Sequence, residues 1–598
     1  MTINARMERR QPQAAAADGS MLALSTALPH PALSTEPRML CAAARSCKAW
    51  RAAVPQCSAC NTAITISPGA LLPKLSSFTQ WLVKHAHLVK NVRIPGSGLS
   101  ADWTVNGLQG DQHTAVAQQL LQLALQLAAA RPPEAAGAAT PAATASAVER
   151  RQSGLRLSSF SSGCLVAADT LAALPAHSLT RLDLEFQHSR DLENEAMSAA
   201  LPQLSNLQEL SLTVDRLQPV AGSCLLALVQ LRRLTSLKLH ANWSNSAQQL
   251  QQLLAQPLPL QKLNIDCCGS SVQLPVLDMS ALSRLQGLTT HTRLPEGSVL
   301  PLQLTQLQLG KSAATAGSLS MLLLPLQQLQ RLTLTVSFEE PAPLLRLTQL
   351  SALQHLALTY TKDSCAAATA AAWPQLPRLH DWSLRLDDLF LSGVAISSQQ
   401  MEAILAGIAG STSLTTLHLA VPTVFGEGGN NDDDDDDADD GDHQVLRVAV
   451  CARLTSLSSL RDLTITGKHT RGMLEAGDAL ALTALTGLTS LSLCNLDAAL
   501  GDLEANAMAC NLTQLRDLDL TDAWLGDMVC LAAIARLTQL TGLALWFNTS
   551  SSDLTQQGLM MLTTLLRLQE LGLYECGDIS LDAFWAAVPG RQLPQPVR

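Results

Sequence analysis

The chain has 598 residues, of which 47% are hydrophobic and only 3% aromatic, and its formal net charge is −10. Glu427, Asp432 to Asp437, Asp439, Asp440 and Asp442 supply that excess from one short run, so no basic field is left to attract nucleic acid. No apolar run reaches the ~18 residues of a membrane-spanning helix, and the 14 scattered cysteines read as thiols of a reducing compartment, cytoplasmic or nuclear.

Residues 1–30 are rich in Gln and Ala, show no periodic face and are expected to be disordered. Residues 31–60 differ. Ser34 or Thr35 can cap a helix, Glu36 and Pro37 suit its first turn, and Leu40, Ala43, Ala44, Cys47 and Trp50 recur on one side. Cys57 and Cys60 form a CxxC with no second pair beside it, so zinc is not expected. The closing residues Cys47, Lys48, Trp50 and Arg51 resemble the second half of an F-box, a partial match confined to Leu33 through Val54. The resemblance implies docking on a Skp-type adaptor of a cullin-RING ubiquitin ligase, with Leu40 and Trp50 as the docking candidates. Read without it, the same residues make a helical cap.

Residues 77–130 read as a divergent first repeat, with a helix from Ser77, a strand through Val92 and Ile94, and a Gln/Leu helix from His113 to Ala130. His85 and His87 stand two apart, which on a helix points them in different directions and makes them no ligand pair. Residues 131–150 are a Pro/Ala linker insertion, after which Leu155 and Leu157 take up a strand pattern.

From 151 to 576 one pattern recurs, and LTQLTGLALWFN from Leu537 to Asn548 shows it plainly. The short LxL is a strand, whose period of 2 turns Leu543 and Leu545 to one side and Gly542, Ala544 and Trp546 to the other. Its first leucine returns at Leu182, Leu210, Leu237, Leu263, Leu288, Leu307, Leu332 and Leu356; Trp382 then takes the place, followed by Leu417, Leu463, Leu491, Leu518, Leu543 and Leu571. Most steps are 24 to 28 residues. The text LxxLxxLxLxxN resembles leucine-rich repeats. Because one such unit cannot bury its own apolar side, the implied fold is an α/β leucine-rich-repeat solenoid, with a curved parallel sheet on the concave side and helices and turns on the convex side. The asparagine place holds small polar residues such as Asp215, Asn242, Ser337 and Asn548, suited to bonding the backbone of neighbouring turns.

Three steps depart from the rule. Leu288 to Leu307 is 19 residues with Pro295 and Pro301, too short for a helix, whereas Trp382 to Leu417 is 35 and leaves room for a long one around SSQQMEAILAGIAG. Excising 424–443 from the 46-residue step between Leu417 and Leu463 restores an ordinary repeat. The acidic run is therefore expected to be a disordered, solvated insertion, and it lacks the ligand spacing of an EF-hand. Residues 577–598 read as a C-terminal cap and tail, with Phe584 and Trp585 over the end of the core.

No GxSxG, HExxH, Walker A or GxGxxG phosphate loop occurs, and the carboxylates Asp517, Asp519 and Glu570 are interrupted by Gly542, Ala544 and Trp546. The expectation is a chain that is no enzyme, with no catalytic residue, cofactor or metal. The concave face remains. Its early rows mix signs, as in Arg181, Asp183, Glu209, Lys238, Lys262 and Asp266, and its late rows carry Trp546, Tyr574, Asp517, Asp519 and Glu570 as partner-binding residues. The reading is a monomeric protein-recognition module with no specific nucleic acid or membrane partner. The F-box resemblance implies the substrate-recognition subunit of an SCF-type ligase. The alternatives are a free-standing scaffold, or a GTPase-activating repeat protein, which the irregular steps disfavour.

Overall fold

The computed structural model describes residues 62–65, 79–80, 82, 89–94, 119–128, 155, 157–163, 168–186, 194–214, 222–243, 245–267, 274–310, 316–336, 341–360, 364–370, 372–386, 398–421, 449–467, 477–494, 496, 500–521, 528–546, 555–574 and 580–589. The F-box-like segment with Leu40 and Trp50, the linker at 131–150 and the acidic run at 424–443 lie outside them.

Two compact units form, the first from Met1–Leu288 with Gly297–Pro301, the second from Thr289–Glu296 with Leu302–Arg598. In the first, β1 (Thr62–Thr65), β2 (Val89–Ile94), β3 (Ser159–Ser162), β4 (Arg181–Phe186), β5 (Glu209–Val214), β6 (Ser236–Ala241) and β7 (Lys262–Cys267) pair in parallel, each with the next. Strand β8 (Gly287–Thr290) spans the division. In the second, the same parallel succession runs through β9 (Gln306–Leu309), β10 (Arg331–Val336), β11 (His355–Tyr360), β12 (Asp381–Leu386) and β13 (Thr416–Val421). It continues through β14 (Asp462–Gly467), β15 (Ser490–Cys494), β16 (Asp517–Leu520), β17 (Gly542–Trp546) and β18 (Glu570–Tyr574).

The register follows the leucines. Leu182, Leu210, Leu237 and Leu263 are successive partners in the first unit, as are Leu332, Leu356, Trp382, Leu417, Leu463, Leu491, Leu518, Leu543 and Leu571 in the second. All of these are buried except Leu571, on the last strand. A one-residue slip would turn each set of leucines into water, so the pattern pins the pairing. Each unit is therefore an α/β leucine-rich-repeat solenoid, with parallel strands on one side and α- or 3₁₀-helices on the other. Helix 119–128 buries Leu121, Ala124, Leu125 and Ala128, and the 12-residue helix Ser398–Ala409 fills the long step before β13.

One expectation needs correction. Phe160 and Ser162, not Leu155 and Leu157, pair with Leu182 and Leu184. Leu155 and Leu157 are buried on the approach to the strand, where other repeats also carry leucines, so the leucine text there runs out one step before the strand begins. Strand β1, whose Ile64 pairs with Val92, has no leucine at all.

A threonine stands just before six of the strands, β4, β6, β9, β13, β15 and β17, and its bonds show what it adds. The carbonyl of Thr180 accepts the backbone N–H groups of both Gln208 and Glu209 in the next repeat, and those of Thr235, Thr305, Thr415, Thr489 and Thr541 accept in the same way. The hydroxyls of Thr180, Thr235, Thr415, Thr489 and Thr541 meanwhile donate backward, for example Thr235 Oγ1 to the Gln208 carbonyl at 3.2 Å and Thr489 Oγ1 to the Arg461 carbonyl at 3.0 Å. Each of these five threonines thus ties three consecutive repeats, meeting the polar demand of backbone that has left one ladder and not yet joined the next. Of the asparagine places named above, only Asn242 is described, and it is half-buried.

On the helix side, Asp478 performs a similar repair between repeats. Its Oδ2 and Oδ1 accept the N–H groups of Cys451 at 2.7 Å and Ala452 at 2.9 Å, the second and third residues of the short helix Val450–Leu454. Asp478 is buried, and these amides have no intrahelical acceptor. Replacing it with alanine is expected to cost about 1.5–3 kcal/mol, the range of hydrogen bonds to a charged group. Hydrogen exchange at Cys451 and Ala452 should accelerate in step with the loss seen in denaturant unfolding.

Candidate functional site

Strand geometry sends the residues between the leucines away from the core. In the first unit this exposed face mixes signs. Arg181 Nε lies 3.4 Å from Glu209 Oε2 with both side chains more than half exposed, a contact worth at most about 1 kcal/mol. His240 Nδ1 stands 4.0 Å from Asp266 Oδ2, while the buried Trp243 donates its indole N–H to the Asp266 carbonyl at 3.1 Å.

In the second unit the face changes character along its length. Strands β10 to β13 present Arg331, His355, Asp381, Arg385 and His418. His355 Nδ1 donates to Asp381 Oδ2 at 2.6 Å, while Asp381 Oδ1 is enclosed with no hydrogen-bond partner. Burial pushes the Asp381 carboxyl up. The His355 bond and the charges of His355, His418 and His380 together outweigh that and hold it below its ordinary value of 3.8. A depressed carboxylate stabilises the fold above its unfolded pKa, and the contribution is lost as pH falls through the lower folded value. His355→Ala removes the main opposing interaction, so the acid-unfolding midpoint of the full chain, followed by circular dichroism, should move to higher pH.

Strands β14 to β18 carry the carboxylates Asp462, Asp517, Asp519 and Glu570. Asp519 is held by its neighbours. Its Oδ2 accepts from Ser492 Oγ and Cys494 Sγ, both at 3.3 Å, and its Oδ1 accepts from the Thr521 amide at 3.1 Å and from the Thr521 hydroxyl. Burial, reinforced by Asp519, pushes the Cys494 thiol up to about 11 against the pull of Ser492. It therefore stays protonated at neutral pH and is no nucleophile. Asp517 Oδ1 accepts from Thr541 Oγ1 at 3.2 Å and leans over Gly542, where a methyl group would meet it at 2.7 Å. Gly542 is thus a seat for the Asp517 carboxylate rather than a gap in the row. Glu570 is the backbone partner of Gly542 on the next strand.

The candidate residues divide accordingly. Asp517 and Glu570 flank Gly542 on the exposed face, and Asp519 lies one row along, drawn into the Ser492–Cys494 cluster. Trp546 and Tyr574 are backbone partners at the ends of β17 and β18, and their side chains lie outside the described residues. The histidine and arginine group on β10 to β13 has no motif in the sequence because its members sit on four separate repeats and form no local spacing; only the strand register gathers them.

Neither a family model nor a curated protein matches the chain. Among solved structures it is similar to an internalin from Listeria monocytogenes, at 17% identity over 62% of this chain and 82% of that one, with a TM-score of 0.31. It is also similar to a leucine-rich-repeat protein of Leptospira interrogans, at 18% identity over 67% and 91% respectively, with a TM-score of 0.34. Among the described residues, no group of three His, Cys, Asp or Glu is placed to hold a metal ion, and no helix is long and apolar enough to cross a membrane.

Proposed function

We propose that this chain is a protein-recognition module that binds a protein partner on its exposed sheet face and catalyses nothing itself. The observation that carries the reading is the alternation along β10 to β16, where every second residue is buried and its neighbours are half-buried or exposed and mostly polar, in register across the strands. A broad, largely polar, parallel face of this kind has the area for a protein. On its later strands Asp519 is satisfied by Ser492, Cys494 and Thr521. Affinity capture with the full chain as bait, followed by mass spectrometry, identifies the partner. Trp546→Ala and Tyr574→Ala should each weaken its recovery at least tenfold, as hot-spot aromatics do. Recovery unchanged in both, and in Asp517→Lys, would end the assignment to this face.

The finer reading, a substrate-recognition subunit of a cullin-RING ligase, is favoured by the F-box-like residues Cys47, Lys48, Trp50 and Arg51. It predicts co-purification of a Skp-type adaptor, abolished by Leu40→Ala or Trp50→Ala. A scaffold with no ligase link retains its partner when residues 1–60 are removed and recovers no adaptor.

A further inference from the structure

The exposed face of the second unit is divided by charge at a single strand boundary. On β10 to β13 the cations Arg331 and Arg385, with the imidazoles of His355 and His418 between them, surround one carboxylate, Asp381, which His355 already engages. From β14 onward the charged residues at the same strand positions are Asp462, Asp517, Asp519 and Glu570, with no Lys, Arg or His among them. Arg461 and Arg516 stand just before β14 and β16, outside these rows, and leave the four carboxylates in excess; Arg461 turns its guanidinium along the sheet edge to the Gly487 carbonyl at 3.1 Å. Two fields of opposite sign therefore lie side by side on one continuous sheet.

We propose that this face takes a polypeptide segment whose own charge is segregated, its acidic part over β10 to β13 and its basic part over β14 to β18. The inference rests on the reading of the face as a protein-binding surface and adds the chemistry and direction of what lies on it. A segment laid in the opposite sense sets like charges together at both ends, which sets orientation as well as attraction. With strands about 4.8 Å apart, the centres of the two fields are separated by roughly 20 Å. An extended chain covers that in about six residues.

The test uses two fluorescent peptides of one composition, a block peptide of five Glu, six Gly/Ser and five Lys, and a scrambled one with the charges interleaved. Binding to the full chain is read by anisotropy at low and at high salt. The block peptide should bind about tenfold more tightly than the scrambled one, the sum of several exposed ion pairs, and most of that advantage should vanish at high salt. The acidic run at 432–442 attracts the lysine block too, so the deciding comparison is with the variant Asp462→Asn/Asp517→Asn/Glu570→Gln, which leaves that run intact. Asp519 is kept, because it holds three neighbours in place. The variant should melt at the wild-type temperature and lose the block preference, as should Arg331→Gln/Arg385→Gln. Equal binding of the two peptides, or a preference that survives both variants, overturns the inference. Recovery of the natural partner in the capture experiment is unaffected by that result, so the binding-face reading stands or falls separately.

Discussion

Trp382→Ala is expected to lower the stability of the second unit by about 3–5 kcal/mol, the range for deleting a fully buried aromatic side chain. Trp382 occupies the leucine place of β12, between Leu356 and Leu417, and is wholly buried. Its ring meets that of the buried Trp373 edge-on, with centroids 6.3 Å apart and planes at 77°, a geometry that adds to simple burial. One term opposes these gains. The indole Nε1 is buried with no hydrogen-bond partner, at a cost of about 1–3 kcal/mol. Trp382→Leu removes the orphaned N–H and restores the ordinary residue of the repeat while giving up ring contacts, so its net effect should fall within about 1 kcal/mol of wild type. Because each repeat touches only its neighbours, the alanine lesion should also uncouple the strands before β12 from those after it. Denaturant unfolding of the variant should then show one transition more than the wild type. A barely shifted profile with no added transition for the alanine variant would mean that Trp382 does not hold the adjacent repeats together.

What the sequence made legible, and what it concealed, follows from where each signal resides. The leucines reveal the fold because burial is enforced at every strand by a side chain of one type, and register then follows from the period of 2. The pattern even marks Trp382 as a leucine place. It fails at β3, where Phe160 and Ser162 do the work of two leucines, and at β1, where Thr62 to Thr65 carry none. The threonine ladder was present as a Leu-Thr pair ahead of six strands, as at Leu179-Thr180, Leu488-Thr489 and Leu540-Thr541. Its meaning depends on bonds to carbonyls some 22 to 35 residues away, which composition does not disclose. The candidate face behaves similarly. Asp517 and Glu570 could be picked out singly, yet the seat that Gly542 makes for Asp517, the capture of Asp519 by Ser492 and Cys494, and the pairing of His355 with Asp381 are properties of neighbouring strands. Side chains brought together by stacking repeats leave no spacing in the text.

Gly407→Ala sets local preference against packing and should show packing winning by about 1–3 kcal/mol. Gly407 lies within the helix Ser398–Ala409, where alanine in place of glycine would ordinarily gain close to 1 kcal/mol. Here the added methyl group would collide with the backbone carbonyl of Ala370 and fall 2.7 Å from its Cβ. Ala370 ends the neighbouring helix Ser364–Ala370 and is itself buried, so the obstruction is backbone that cannot rotate aside. Relief requires the two helices to move apart, which opens the layer over β12 and β13. Gly410 supplies the comparison. A methyl group there meets the Cγ of Pro374 at 2.9 Å, the far end of a ring that can change pucker, so Gly410→Ala should stay within about 1 kcal/mol of wild type. If Gly407→Ala were instead the more stable of the two in denaturant, helix propensity would outweigh the contact, and the close approach of these helices would not be what requires glycine at this position.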